Sequence, residues 1–164
     1  MGIPEPMLQH RDQQPYVGIR SQVAMHEMGK VLPPLIDEVF AWLGKKNVQP
    51  AGPVFWRYLV VDMQKKLEID VGVPVKAALR GEGRIIADVL PAGVYATALF
   101  VGHPDGLRQA TGDLLSWADG KRIEWSMNGD RWSGPIEWYL SNPAEEPDMS
   151  AWRTEPAFLT TRQK

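Results

Sequence analysis

Gly52-Pro53-Val54-Phe55-Trp56 returns in the second half of the chain as Gly134-Pro135-Ile136-Glu137-Trp138. The likeness extends on both sides of this motif: Tyr16 answers to Tyr95 and Trp42 to Trp117. Each half reads strand, helix ending near a Trp, Gly-Pro turn, aromatic strand, final strand. A period of roughly 80 residues in two copies is too long and too few for a solenoid. It predicts an α+β fold of two β-α-β-β units packed about a pseudo-twofold axis. Units of this size bury too little surface alone, so they are expected to share one sheet system.

Local patterning places the elements. Residues 1–14 are polar and aperiodic and read as a flexible tail, leaving 15–164 as a single domain with halves of about 15–80 and 84–162. Residues 15–23 alternate as a strand. A helix is expected to start at Pro33-Pro34, because Pro is tolerated in a first turn and costly later. Leu35, Val39, Trp42 and Leu43 give that helix one apolar face. Strands are expected over 54–62 and 67–75, the second with one wet face. The second half repeats the order, with strands at 84–90 and 94–101 and a helix capped by Asp105. That helix presents Leu107, Ala110, Leu114 and Trp117, and strands at 136–141 and 154–161 complete the half. Trp125 and Trp132, in a loop, are placed to serve as a lid.

Composition removes whole classes of chemistry. With no Cys there are no disulfides, thiolate nucleophiles or Cys-based metal and iron–sulfur sites. Lys+Arg is 18 against Asp+Glu 20, a net charge of -2, which gives no basic footprint for nucleic acid and no polybasic membrane patch. No apolar run approaches the roughly 20 residues of a membrane span, and the first residues lack a signal core, so the expected location is the cytoplasm. His10, His26 and His103 lack metal-helix spacing. No P-loop, dinucleotide loop or nucleophile elbow is present. No metal and no cofactor is expected.

Glu137 breaks the repeat. It takes the slot that Phe55 holds in the first half, inside a strand between Ile136 and Trp138 and on one face with Tyr139. An ionised carboxylate in apolar surroundings is costly unless paired, and functional sites are where such local rules break. Pattern alone leaves two readings open. In one, Glu137 ends an aromatic pocket and waits for a cationic or polarised ligand, helped by cation–π attraction. Desolvation would then also suit it to general acid–base work. In the other, it points to solvent or is satisfied by Arg57 on a paired strand.

The stretches Pro15-Tyr-Val-Gly-Ile-Arg, Gly52-Pro-Val-Phe-Trp-Arg-Tyr, Leu90-Pro-Ala-Gly-Val-Tyr-Ala and Gly134-Pro-Ile-Glu-Trp-Tyr-Leu-Ser-Asn-Pro, with Glu146-Pro-Asp and Trp152-Arg-Thr-Glu, stand in order along the chain. Together they resemble the GyrI-like small-molecule-binding proteins, whose domain also occurs as the effector-binding part of AraC-type and multidrug-responsive regulators. The resemblance covers roughly residues 15–162. It implies a curled antiparallel sheet with two main helices and a ligand cavity near the pseudo-twofold, where the acidic residue meets lipophilic cations. That residue maps onto Glu137. Tyr139 and Trp152 map onto cavity walls, and Tyr16, Trp56, Tyr58, Tyr95 and Phe100 onto facing strands. The chain departs from the pattern at Gly102-His103-Pro104-Asp105, where many relatives carry Gly-Pro-Tyr.

The first expectation is therefore a stand-alone module that binds lipophilic, cationic or polarised small molecules for sensing or sequestration. A second, also implied by the resemblance, is a hydrolase that opens strained cyclopropane rings of toxic natural products. Glu137 would be its acid–base group, with Tyr139 or Tyr95 as the catalytic partner that orients it. A third is a protein-binding inhibitor of a topoisomerase. Direct contact with nucleic acid is not expected, since too few residues precede the first strand for a DNA-binding segment. A protein partner or a homodimer stays open.

Overall fold

In the computed structural model the described residues are 6–61, 67–103, 106–128, 131–132, 135–141 and 146–160. They form strands β1 (Met7–Arg11) and β2 (Gln14–Val23), helix α1 (Met28–Lys45), strands β3 (Phe55–Val61), β4 (Leu67–Pro74), β5 (Ile85–Leu90), β6 (Gly93–Thr97) and β7 (Phe100–Val101), helix α2 (Leu107–Gly120), and strands β8 (Met127–Asn128), β9 (Arg131–Trp132), β10 (Ile136–Tyr139) and β11 (Arg153–Leu159). The main ladder is antiparallel in the order β1-β6-β11-β10-β3-β4-β2-β5. β7 lies beside β11, and the short β8–β9 pair lies beside β3. The order is symmetric about the β10–β3 pair: β3, β4, β2 and β5 exchange with β10, β11, β6 and β1. The duplicated unit read from the sequence is thus present as a pseudo-twofold.

Short connectors bend this ladder. Arg11 ends β1 opposite Gly93 of β6, and Gln14 begins β2 opposite Leu90 of β5. Only Asp12 and Gln13 link β1 to β2, and only Pro91 and Ala92 link β5 to β6. Three residue steps reach at most about 11 Å, whereas eight strands laid flat would cover roughly 34 Å. The sheet must curl until its two ends nearly meet. A chord across the curl shows which face is concave: Arg57 Nη1 of β3 donates to the Val89 carbonyl of β5, three ladder steps away, at 3.4 Å.

The concave face holds a core of Tyr16, Phe55, Leu90, Tyr95, Ile136, Ala157 and Leu159. The outer face carries the helices. Leu32, Leu35, Val39 and Leu43 of α1 pack on Val17, Ile19, Ile69, Val71 and Val73, while Leu114 of α2 packs with Ala96, Ala98 and Phe158. Among the described residues no helix is long and apolar enough to cross a membrane.

Four expectations change. Residues 7–11 are no tail but strand β1, paired with β6 of the other half, and β5 likewise pairs with β2 of the first half. α1 starts at Met28, so Pro33 and Pro34 lie inside it. Two helical N–H donors are lost there, and burial of Leu32 and Leu35 on either side holds the turn. Trp125 is no lid: its ring packs 5.3 Å from Phe158 and its backbone bridges Thr160. The strand expected over 94–101 is interrupted at Ala98-Leu99 into β6 and β7. The Asp105 cap and the Trp132 side chain lie outside the described residues.

Gly72 makes the concave core possible, because a Cβ there would come within 2.5 Å of the Phe55 ring and 3.0 Å of the Tyr16 ring. Both rings are fully packed and meet edge to face at 5.0 Å. Gly72→Ala is expected to cost about 1–3 kcal/mol. A thermal midpoint lowered by roughly 2–12 °C in circular dichroism would be the corresponding reading.

Candidate functional site

At the pseudo-twofold, β3 and β10 meet with Trp56 directly opposite Glu137. Two reciprocal peptide hydrogen bonds frame the pair, Tyr58 N to the Pro135 carbonyl and Tyr139 N to the Val54 carbonyl, each 2.9 Å. Tyr58 and Tyr139 are therefore symmetry mates, and the mate of Glu137 is Trp56 rather than Phe55. The Gly-Pro motifs match one residue out of structural register, and a slip of one residue moves a side chain to the other face of the sheet. Trp56, Tyr58, Glu137 and Tyr139 share the outer face. α1 lies over β2 and β4 and α2 over β6, so this quartet occupies the gap between the helices.

Within it, Glu137 Oε1 accepts the Tyr58 hydroxyl at 2.6 Å and the Tyr139 hydroxyl at 2.8 Å. Oε2 accepts no hydrogen bond among the described residues. The Tyr139 ring stands edge to face with Trp56 at 5.1 Å. Glu137 is only half-buried by surface area, yet desolvation raises its pKa above the ordinary carboxylate value, partly offset by the two phenol hydrogen bonds. Tyr58 and Tyr139 are both held well above the usual phenol pKa, first by burial and then by the Glu137 charge. They remain protonated donors throughout the neutral range.

Among the described residues no Lys or Arg forms an ion pair with Glu137. Arg57, the rival partner offered by the sequence, points to the concave face and donates to the Tyr16 hydroxyl at 3.1 Å. There it joins a second polar cluster. Tyr16 donates to Asp70 Oδ2 at 2.5 Å, and Arg20 grips Asp70 through Nε at 2.8 Å and Nη2 at 3.0 Å.

The other sequence candidates divide between the faces. Tyr16 and Tyr95 lie on the concave side, 1% and 2% exposed, with the Tyr95 hydroxyl donating to the Pro91 carbonyl at 2.7 Å. Strand alternation separates them from Glu137. Burial pushes the Tyr95 pKa up to about 12. Phe100 pairs in register with Thr154, which itself pairs with Tyr139. Its ring rests against Gly106 at the start of α2, on the outer side. Trp152 precedes β11, half-buried, its Nε1 donating to the Glu146 carbonyl at 2.7 Å. Trp42, read from the sequence as part of the apolar face of its helix, packs from α1 on the same cluster that Trp56 and Tyr58 join.

The raised Glu137 pKa makes a stability prediction. A folded pKa above the unfolded one contributes stability at low pH that is lost as pH rises through the folded value. Glu137→Gln should therefore melt higher than the parent at pH 7–8, by about 2–4 °C for each kcal/mol relieved. The difference should shrink below the ordinary carboxylate range. Paired thermal melts across pH measure it.

Residues 4–155 match the GyrI-like small molecule binding domain. The EcmrR C-terminal domain superposes with a TM-score of 0.81 at 21% identity, covering 99% of this chain and 100% of that one. The chain spans 58% of the EcmrR chain seen in an EcmrR–DNA complex. SAV2435 bound to tetraphenylphosphonium gives 0.65 at 11% identity, covering 96% and 94% of the two chains. A hydrolase encoded by lin2189 from Listeria innocua gives 0.67 at 8% identity, covering 96% and 92%. These likenesses carry the fold. Curated proteins gave no match. The curled, duplicated sheet and the match over most of the sequence lead to one conclusion: the chain belongs to the family of GyrI-like small-molecule-binding domains.

Proposed function

We propose that this domain binds lipophilic cations, with Glu137 as the anchoring charge and Trp56, Tyr58 and Tyr139 as aromatic walls. One observation carries the reading: a half-buried carboxylate in the gap between two helices, with both phenols on one oxygen and no ion pair among the described residues. A guest cation supplies the missing charge, and the rings add cation–π attraction of about 0.5–2 kcal/mol each. The tetraphenylphosphonium complex of SAV2435 supports the same ligand class. Phe100 and Trp152 are the more distant walls. The role is sensing or sequestration in the cytoplasm; the EcmrR likeness favours sensing, with any DNA contact made outside this domain.

The raised proton affinity of Glu137 favours a second reading. A neutral Glu flanked by two phenols can protonate a strained ring and, once ionised, activate a water for attack. The hydrolase from Listeria innocua keeps this reading in view. Turnover of a cyclopropane-bearing compound to its hydrate, followed by mass spectrometry and absent in Glu137→Gln, would support it.

For the binding reading, tetraphenylphosphonium titrated against Trp emission should saturate, and Glu137→Gln should weaken it by at least about tenfold. Affinity should be full above the raised Glu137 pKa and fall as pH drops through it, by up to about tenfold per pH unit with one proton exchanged. In the Gln variant it should be flat with pH. An unchanged quench in Glu137→Gln removes Glu137 from the site.

A further inference from the structure

The hydrogen bonds around Glu137 are lopsided, and the asymmetry narrows the guest. Tyr58 and Tyr139 both spend their single protons on Oε1, while Oε2 accepts none among the described residues. Neither phenol has a proton left to donate. What the trio has left to offer is therefore an acceptor, Glu137 Oε2. Two indole donors on this face, Trp42 Nε1 and Trp56 Nε1, are buried out of solvent contact.

We infer that the pocket selects protonated amines that keep an N–H, donated to Glu137 Oε2, over permanently quaternary cations of the same shape. This rests on the reading of Glu137 as the cation anchor and adds which atom does the selecting. A quaternary ion answers the charge but brings no donor, so Oε2 exchanges water for a shell of carbon. Leaving such an acceptor unmet is what makes sites built for hydrogen bonding reject analogues that lack the donor. An ammonium N–H meets charge and lone pair together, in the short charge-assisted geometry that is stronger than a neutral hydrogen bond. The aromatic walls serve both ion types alike, because cation–π attraction needs no proton.

A matched pair of probes tests this: N,N-dimethyl-1-naphthylmethylamine, cationic at pH 7, and its N,N,N-trimethylammonium analogue, titrated by calorimetry into the full chain and into Glu137→Gln. The expected result is binding of the amine at least about tenfold tighter than the quaternary ion, with the ratio falling close to one in the Gln variant. Equal or tighter binding of the quaternary ion, with both probes weakened alike by Glu137→Gln, overturns the selectivity and leaves the cation anchor standing. Affinities of both probes unmoved by Glu137→Gln overturn the anchor and the selectivity together.

Discussion

Two peptide hydrogen bonds at the centre of the sheet, Tyr58 to Pro135 and Tyr139 to Val54, fix everything that makes this surface distinctive. They join the halves, set the register of β3 against β10, and so place Trp56 across from Glu137. Two symmetry-related phenols then converge on one carboxylate oxygen. A slip of one residue would send Glu137 to the concave side among Phe55, Ile136 and Trp138, and bring out the residues that now form that core. The aromatic rows on the two faces hold the register because each is packed on its own side.

The two faces carry the same motif with opposite outcomes. On the concave side a tyrosine and a fully buried aspartate meet, and Arg20 completes the pair by a two-point grip on Asp70. On the outer side two tyrosines meet a glutamate, and among the described residues no guanidinium pairs with it. The first cluster is closed and knits β2 to β4. The second is left half-satisfied in the gap between α1 and α2, where desolvation works against its charge. The difference between the two clusters is the observation on which the proposed binding role of the outer one rests.

Much of this was legible in the residues and some was not. The duplication, the two helix faces and the equivalence of Tyr16 with Tyr95 could be read directly, since large apolar side chains at fixed spacing leave few alternatives. Glu137 announced itself as the residue that breaks the repeat. Which aromatics accompany it was not legible, because the face of each strand follows from register and the Gly-Pro motifs match one residue out of step. The sequence therefore groups Tyr16 and Tyr95 with Glu137, whereas they lie in the core on the opposite face of the sheet. β1 was hidden for another reason. Four of its five residues are exposed, so no alternation of burial was written into it, and its pairing depends on the curl that the connectors impose.

The pseudo-twofold has a consequence at its own centre. Were the halves two identical chains in a symmetric dimer, positions 56 and 137 would hold one and the same residue, set about 5 Å apart across the axis. Two carboxylates there would repel, and two indoles would leave no charge at all. Only within a single polypeptide can one of these positions be an acid while the other is an indole. Covalent linkage is what permits an asymmetric centre in an otherwise symmetric scaffold.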